Sequence, residues 1–189
     1  MKKMNAKDIL VPTISLFVIC FVATILLAFV NGFTAPKIAA ISAENAANSR
    51  KIVLPDAKEF KEMSKDKIEY FEGKDKDGNT VGYVFTTTCT DDHKGYAGEI
   101  KVMTGIDKDG KVTGIEFIKI NETPGLGMNA KNDSFKDQFK GKTGVVGVSK
   151  TGKSDTEIQA LTSATITSQA VTSAVNVALE LYLQIGGGN

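Results

Sequence analysis

A run of hydroxyl side chains lies near the C-terminal end of the 189-residue chain, at Leu161-Thr162-Ser163-Ala164-Thr165-Ile166-Thr167-Ser168. It leads into an apolar-periodic segment that predicts a helix from about Thr167 to Gln184. The first turn of a helix has unpaired N–H groups and the positive end of the helix dipole, so a phosphate is stabilised there. On the residues alone, the simpler interpretation is that one hydroxyl caps the helix. The segment therefore predicts either a phosphate site or ordinary capping.

A glycine-containing loop is the second candidate, at Glu122-Thr123-Pro124-Gly125-Leu126-Gly127. Glycine has no side chain, so the backbone of such a loop can approach a flat ring closely. An ordinary tight turn, in which Pro124 sets φ, explains the same residues. The loop alone does not distinguish these two interpretations.

Other kinds of chemistry find little support in the sequence. One His and two Cys cannot supply the four ligands of a zinc site, and the Asp–Gly turns lack the full calcium-loop pattern. His93 is interpreted as an exposed loop residue and Cys89 as buried packing. The net charge of +1 argues against nucleic-acid binding. We predict no catalytic residue and no metal ligand.

Residues 9–30 contain no charged side chain, and this length of about 22 residues is sufficient to cross a bilayer as a helix. Lys2, Lys3 and Lys7 precede the segment, and the next basic residue is Lys37. The positive-inside rule therefore predicts a cytoplasmic N-terminus and an extracytoplasmic C-terminal domain. A cleaved signal peptide is the alternative, but its apolar region would be shorter.

The remaining chain predicts one exported α+β domain. We expect a cytoplasmic N-terminus over residues 1–8, a transmembrane helix over 9–30, a helical stalk over 31–55 and a domain over 56–189. From Lys67 onward, alternating and β-branched segments separated by Asp–Gly turns predict antiparallel strands. A short helix bearing Phe135 and Phe139, one further short strand and the C-terminal helix complete the domain.

The hydroxyl run resembles a motif of a known family. Thr162-Ser163-Ala164-Thr165 is similar to the flavinylation motif of the membrane-anchored FMN-binding subunits of bacterial Rnf and Na⁺-pumping NADH:quinone oxidoreductase complexes. In that motif the final Thr, here Thr165, carries FMN through a phosphoester bond. Two positions depart from it, since Gln159 stands where the motif has Asp and Ser163 where it usually has Gly. Residues 95–100 and 122–127 also resemble family segments, in the same order and spacing.

The resemblance covers nearly the whole chain and is closest to the G-subunit family of Rnf complexes. It implies covalent FMN on Thr165, with a surrounding site formed by the hydroxyl run and the glycine-containing loop. The residues assigned to that site are Thr162, Ser163, Ala164, Thr165, Thr167, Glu122, Thr123, Pro124, Gly125, Leu126 and Gly127.

The same resemblance implies a function and partners. The chain would relay electrons within a membrane complex that couples ferredoxin:NAD oxidoreduction to Na⁺ or H⁺ translocation. Its partners would be the other membrane subunits, including a second flavinylated subunit, and a flavin transferase that uses FAD. Two alternatives remain, namely the equivalent C-type component of the quinone-reducing Na⁺ pump and a cofactor-free anchored binding module.

Overall fold

The computed structural model describes residues 6–187, which form two compact units that meet after Asn45. The N-terminal unit consists of the first part of helix α1 (Ala6–Val53). Its apolar side chains from Ile9 to Val30 are exposed to the surroundings, and its length and composition suffice to cross a membrane. Pro12 lies in the second turn of α1, and the helix ends at Val53, two residues before Pro55.

The second unit is built on a five-stranded antiparallel sheet in which neighbouring strands follow one another along the chain. The strands are β1 (Glu59–Lys65), β2 (Ile68–Lys74), β3 (Thr80–Thr88), β4 (Lys101–Asp107) and β5 (Val112–Lys119). Asp75 closes the β2–β3 turn and Asp107 the β4–β5 turn, because each carboxylate accepts two backbone N–H groups. The prediction of an α+β domain with antiparallel strands is confirmed. Strand β1 was not predicted, since its charged side chains are mostly exposed and give no apolar pattern.

The elements after the sheet are shorter, apart from the last helix. They are α2 (Asp133–Lys136), β6 (Gly147–Ser149), β7 (Glu157–Gln159) and α3 (Thr165–Gln184), with single turns of 3₁₀ helix at Asp91–His93, Gly127–Lys131 and Asp137–Phe139. The rings of Phe135 and Phe139 pack edge to face with centroids 5.7 Å apart, so the predicted pair shares one buried face. Strands β6 and β7 pair in parallel, and β7 was not predicted because three residues are too few to show a period.

Helix α3 covers one face of the five-stranded sheet and supplies much of the main core. Every residue predicted on its apolar face is buried, namely Val171, Ala174, Val175, Ala178, Leu179 and Tyr182. They pack with Phe85, Val102 and Ile106, which point to the same side of β3 and β4. The spacing of the apolar residues along α3 therefore fixes which side of the helix meets the sheet.

The opposite face of the sheet receives the end of α1 and the residue that follows it. Val53 and Leu54 are buried there against Val84 and Met103. The side-chain hydroxyl of Thr113 donates to the carbonyl of Val53, and Gly105 leaves room for that carbonyl because it has no Cβ. The second unit thus begins within α1, and its sheet is covered on both faces.

Candidate functional site

The N-terminus of α3 forms one wall of the site. The helix begins at Thr165, two residues earlier than predicted, and Ala164 occupies the N-cap position. The methyl side chain of Ala164 cannot accept a hydrogen bond, so the structure lacks the side-chain cap expected from ordinary capping. Ser163 adopts a left-handed conformation with φ of 61°, which turns the chain into the helix. The first N–H groups of α3 are therefore left without an N-cap acceptor.

The hydroxyl groups of this segment differ in what they contact. Ser168 is fully buried, where its Oγ accepts the N–H of Leu161 at 2.9 Å and donates to the carbonyl of Ala164 at 3.0 Å. Thr167 is 2% exposed and donates to Oε2 of Glu122 at 3.1 Å. Thr165 is half-buried, and its side chain is absent from the hydrogen bonds seen among residues 6–187. Thr165 therefore combines partial exposure with a free hydroxyl.

Glu122 connects the parts of the site. Its side chain is 7% exposed, and Oε1 accepts the N–H of Ala97 at 3.2 Å while Oε2 accepts the hydroxyl of Thr167. Two glycines make room for the carboxylate. A methyl group on Gly127 would lie 2.6 Å from both Oε2 of Glu122 and Oγ1 of Thr167, and one on Gly95 would collide with Oε1. One carboxylate thus joins the turn at residues 95–98, the loop at 122–127 and helix α3.

These segments enclose a cleft of about 530 Å³. This volume lies within the range of small-molecule sites. The cleft wall combines the start of a helix with hydroxyl, apolar and aromatic side chains, a set suited to a phosphorylated ligand with a flat ring. The residues that line it are Tyr96, Glu122, Thr123, Leu126, Gly127, Ser163, Ala164, Thr165, Ile166 and Thr167.

Three predicted site residues lie outside this wall. Thr162 is exposed beyond the cleft, and Pro124 with Gly125 forms the tip of a turn closed by the N–H of Leu126 donating to the carbonyl of Thr123 at 3.2 Å. Gly125 has φ of 77°, as the third position of such a turn requires, and a Cβ built on it would meet open space. The tight-turn interpretation therefore describes Pro124 and Gly125, whereas Thr123, Leu126 and Gly127 face the cleft.

Two cleft residues were not assigned from the sequence. Tyr96 is 77% exposed and Ile166 is 51% exposed, although both are large apolar side chains. Tyr96 lies within residues 95–100, whose resemblance to a family segment assigns no role to this side chain. Ile166 stands within the hydroxyl run, whose polar residues predict a phosphate site or a helix cap but no apolar contact.

A larger cavity of about 670 Å³ lies along the C-terminal half of α3. Its wall includes Val145, Val177 and Leu183, and it contains none of the residues predicted for the site. The larger cavity is therefore not the one that the sequence-predicted residues form. The predicted residues converge on the smaller one instead.

Comparisons with known proteins identify the family and the fold of this chain. A family model described as an FMN-binding domain matches residues 95–180, a span that contains every residue lining the cleft. A crystal structure of the C-type component of the Na⁺-translocating NADH-quinone reductase from Parabacteroides distasonis superimposes with a TM-score of 0.52 at 26% identity, covering 61% of each chain. The chain thus shares the fold of that protein.

Two curated relatives match over most of their length. The G-type component of the Na⁺-translocating ferredoxin:NAD⁺ oxidoreductase complex of Acetobacterium woodii is 41% identical, with 88% of each chain covered. Its counterpart in the proton-translocating ferredoxin:NAD⁺ oxidoreductase complex of Clostridium ljungdahlii is 35% identical, with 99% of this chain and 98% of the relative covered. With its anchor-like helix and its cleft at the start of α3, the chain belongs to the FMN-binding G-subunit family of Rnf complexes.

Proposed function

We propose that this chain is the electron-transfer subunit of an ion-translocating ferredoxin:NAD⁺ oxidoreductase complex, and that it relays electrons through FMN attached to Thr165. The observation that carries the proposal is the partly exposed, free hydroxyl of Thr165 on the wall of the cleft. Thr167 and Ser168 are both buried and hydrogen-bonded, so neither offers a hydroxyl for attachment. Among these three side chains the surroundings favour Thr165. Ser163 is also exposed on the cleft wall, and the motif resemblance favours Thr165 over it.

The residues around Thr165 suit a phosphoester. Thr165 is the first residue of a helix of 20 residues, and the N-cap side chain does not compete for the N–H groups of the first turn. These N–H groups and the helix dipole stabilise a phosphate at that end. Attachment at this position would place the negative charge of the phosphodiester where the backbone can hold it.

Beyond the phosphate, the cleft offers apolar surface to a flat ring. Leu126, Ile166 and Tyr96 are 43%, 51% and 77% exposed and line the cleft together. Contact with a ring would remove part of this apolar surface from water. Bound FMN supplies the redox chemistry, and the protein fixes its position.

Sequence similarity over most of the chain distinguishes the ferredoxin:NAD⁺ oxidoreductase complex from the NADH-quinone reductase. The relatives from Acetobacterium woodii and Clostridium ljungdahlii, which match over most of their length, belong to ferredoxin:NAD⁺ oxidoreductase complexes, at 41% and 35% identity. The similarity to the NADH-quinone reductase component is structural and has a lower identity of 26%. We therefore favour the Rnf-type complex. Its other membrane subunits, including a second flavinylated one, are the proposed partners.

Covalent attachment requires a flavin transferase, for which FAD is the proposed donor. A phosphoester would also keep the flavin from dissociating if the domain lies outside the cytoplasm, where lost cofactor is not readily replaced. The lysines that precede the apolar segment support that orientation.

The test is Thr165→Ala in the full-length chain, co-expressed with a flavin transferase. We expect the variant to lose flavin fluorescence on a denaturing gel and the mass increment of FMN, while its thermal unfolding changes little. Thr165→Ser keeps a hydroxyl and should retain part of the modification. Thr156→Ala is the matched control, because Thr156 is exposed and lies outside both the motif and the cleft wall, so its loss should leave flavin attachment intact. Flavin that resists denaturation in Thr165→Ala would place the attachment elsewhere.

A further inference from the structure

Glu122 is a buried carboxylate whose two oxygens both accept hydrogen bonds. Oε1 takes the N–H of Ala97 at 3.2 Å and Oε2 takes the hydroxyl of Thr167 at 3.1 Å. An ionised carboxylate only accepts hydrogen bonds, and a donor faces each of its two oxygens here. Among residues 6–187 no ion pair includes Glu122. Its charge is therefore balanced by neutral donors and by the positive end of α3.

The two hydrogen bonds join separate segments. Ala97 belongs to the turn at residues 95–98, whose ends are bridged by the N–H of Gly98 donating to the carbonyl of Gly95 at 3.2 Å. Thr167 lies in the first turn of α3. The turn also carries Tyr96, which lines the cleft together with the start of α3. Glu122 thus links two walls of the cleft through its hydrogen bonds.

Glu122 is also one of the residues that line the cleft. Burial removes most of the water that would screen its charge, so its field acts strongly at short range. Adding electrons to a flavin makes the ring more negative, and a fixed negative charge nearby opposes that change. A charged group near the ring is one of the means by which a protein tunes flavin electronics.

We propose that Glu122 is a positioning residue that ties the 95–98 turn to α3 and lowers the midpoint potential of the flavin bound in the cleft. This inference rests on the proposed function, because it requires flavin in that cleft.

The test compares two substitutions at different positions, each of which removes one negative charge. Glu122→Gln keeps the shape of the side chain: its carbonyl can accept from Ala97 while its amide donates to the hydroxyl oxygen of Thr167. Glu99→Gln is the matched control, because Glu99 is close in sequence but 58% exposed and paired with Lys119 at 3.8 Å. Both variants are made in the full-length chain and co-expressed with a flavin transferase, and the midpoint potential is measured by reductive titration of the flavin absorbance.

We expect a more positive potential in Glu122→Gln and an unchanged one in Glu99→Gln. Glu122→Asp keeps the charge and should stay closer to wild type than Glu122→Gln. If Glu122 acted only by its shape, the midpoint potential of Glu122→Gln would stay closer to wild type than that of Glu122→Asp, since Asp is shorter and fits the site less well than Gln. Equal potentials in Glu122→Gln and wild type, or a shift to more negative values, would overturn the proposal.

A second measurement needs no flavin. Hydrogen exchange in the unmodified protein should show protection of the Ala97 amide in wild type and in Glu99→Gln, and loss of that protection in Glu122→Ala. Equal exchange in wild type and Glu122→Ala would refute the link between the turn and α3, even if Glu122→Gln failed to take up flavin. If the wild-type chain itself acquired no FMN mass increment, the proposed function would fail instead, so the two failures are distinguishable.

Discussion

At the scale of single residues, the site depends on which hydroxyl groups already make hydrogen bonds within the protein. Thr165, Thr167 and Ser168 share one helical turn, yet Thr167 and Ser168 are buried and hydrogen-bonded while Thr165 faces the cleft. The three side chains differ because Glu122 and the carbonyl of Ala164 occupy defined positions around the helix start. Chemically similar hydroxyls therefore acquire different roles from their neighbours.

Gly127 is a residue at which a single methyl group should disturb the site. Gly127→Ala places Cβ 2.6 Å from both Oε2 of Glu122 and Oγ1 of Thr167. We expect the variant to lose about 1–3 kcal/mol of unfolding free energy, as overpacked sites do, and to show reduced flavin loading. Thermal unfolding and in-gel flavin fluorescence measure the two effects.

Gly125→Ala is the matched control in the same loop. Its methyl group meets open space, but φ of 77° makes an L-residue strained there, at a cost of about 1–2 kcal/mol. Stability should fall while flavin loading stays near wild type. Flavin loading reduced equally in both variants would contradict a cleft wall that includes Gly127 and leaves out Gly125.

At the scale of secondary structure elements, the last residues of α1 are a structural part of the sheet unit. Arg50 lies over the ring of Phe71 at 4.1 Å, and Val53 and Leu54 are buried on the face of the sheet opposite α3. The close approach of the end of α1 to the sheet depends on Gly105, because a side chain at this position would collide with the carbonyl of Val53. Helix α1 thus contributes a core element as well as an apolar span.

Gly105→Ala should therefore destabilise the domain. The added Cβ would meet the backbone of Val53 and lie 2.6 Å from Oγ1 of Thr113, and a backbone cannot move aside as a flexible side chain can. We expect a loss of about 1–3 kcal/mol, measured by thermal unfolding of the full-length chain in detergent. Gly152→Ala is the control, since a Cβ there has open space. Equal melting temperatures for the two variants would show that the end of α1 does not require this contact.

At the scale of the whole molecule, the chain combines an apolar helix with a cleft-bearing domain. Within residues 6–187, only the first unit has an apolar exposed surface long enough to cross a bilayer. The second unit has its own core and carries every residue that lines the cleft. This division fits a subunit of a membrane complex whose redox site lies in the domain that follows the anchor.

The orientation of the anchor is testable with reporters. Three lysines before the apolar segment predict that the N-terminus is cytoplasmic and the domain lies outside. A reporter that is active only outside the cytoplasm should therefore be active when fused after Asn189. The same reporter fused before Met1 is the control and should be inactive. The reverse pattern would refute the proposed orientation.

Much of the architecture follows from local sequence patterns. The charge-free segment, the alternation in β2 to β5, the Asp–Gly turns and the apolar face of α3 all reflect short-range periods that one chain segment determines by itself. Strands β1 and β7 have no such period, because one is mostly exposed and the other has three residues. Their pairing partners, and not their own residues, make them strands.

The candidate site likewise depends partly on local sequence patterns and partly on contacts between distant segments. The hydroxyl run and its resemblance to a known motif are enough to make Thr165 and the loop at residues 122–127 candidates. The contact of Glu122 with Thr167, 45 residues away in the chain, and the position of Tyr96 on the same cleft arise from the three-dimensional packing. It also placed Pro124 and Gly125 at the outer tip of the turn. Local patterns specify each segment, whereas contacts between distant segments depend on how the sheet and α3 pack together.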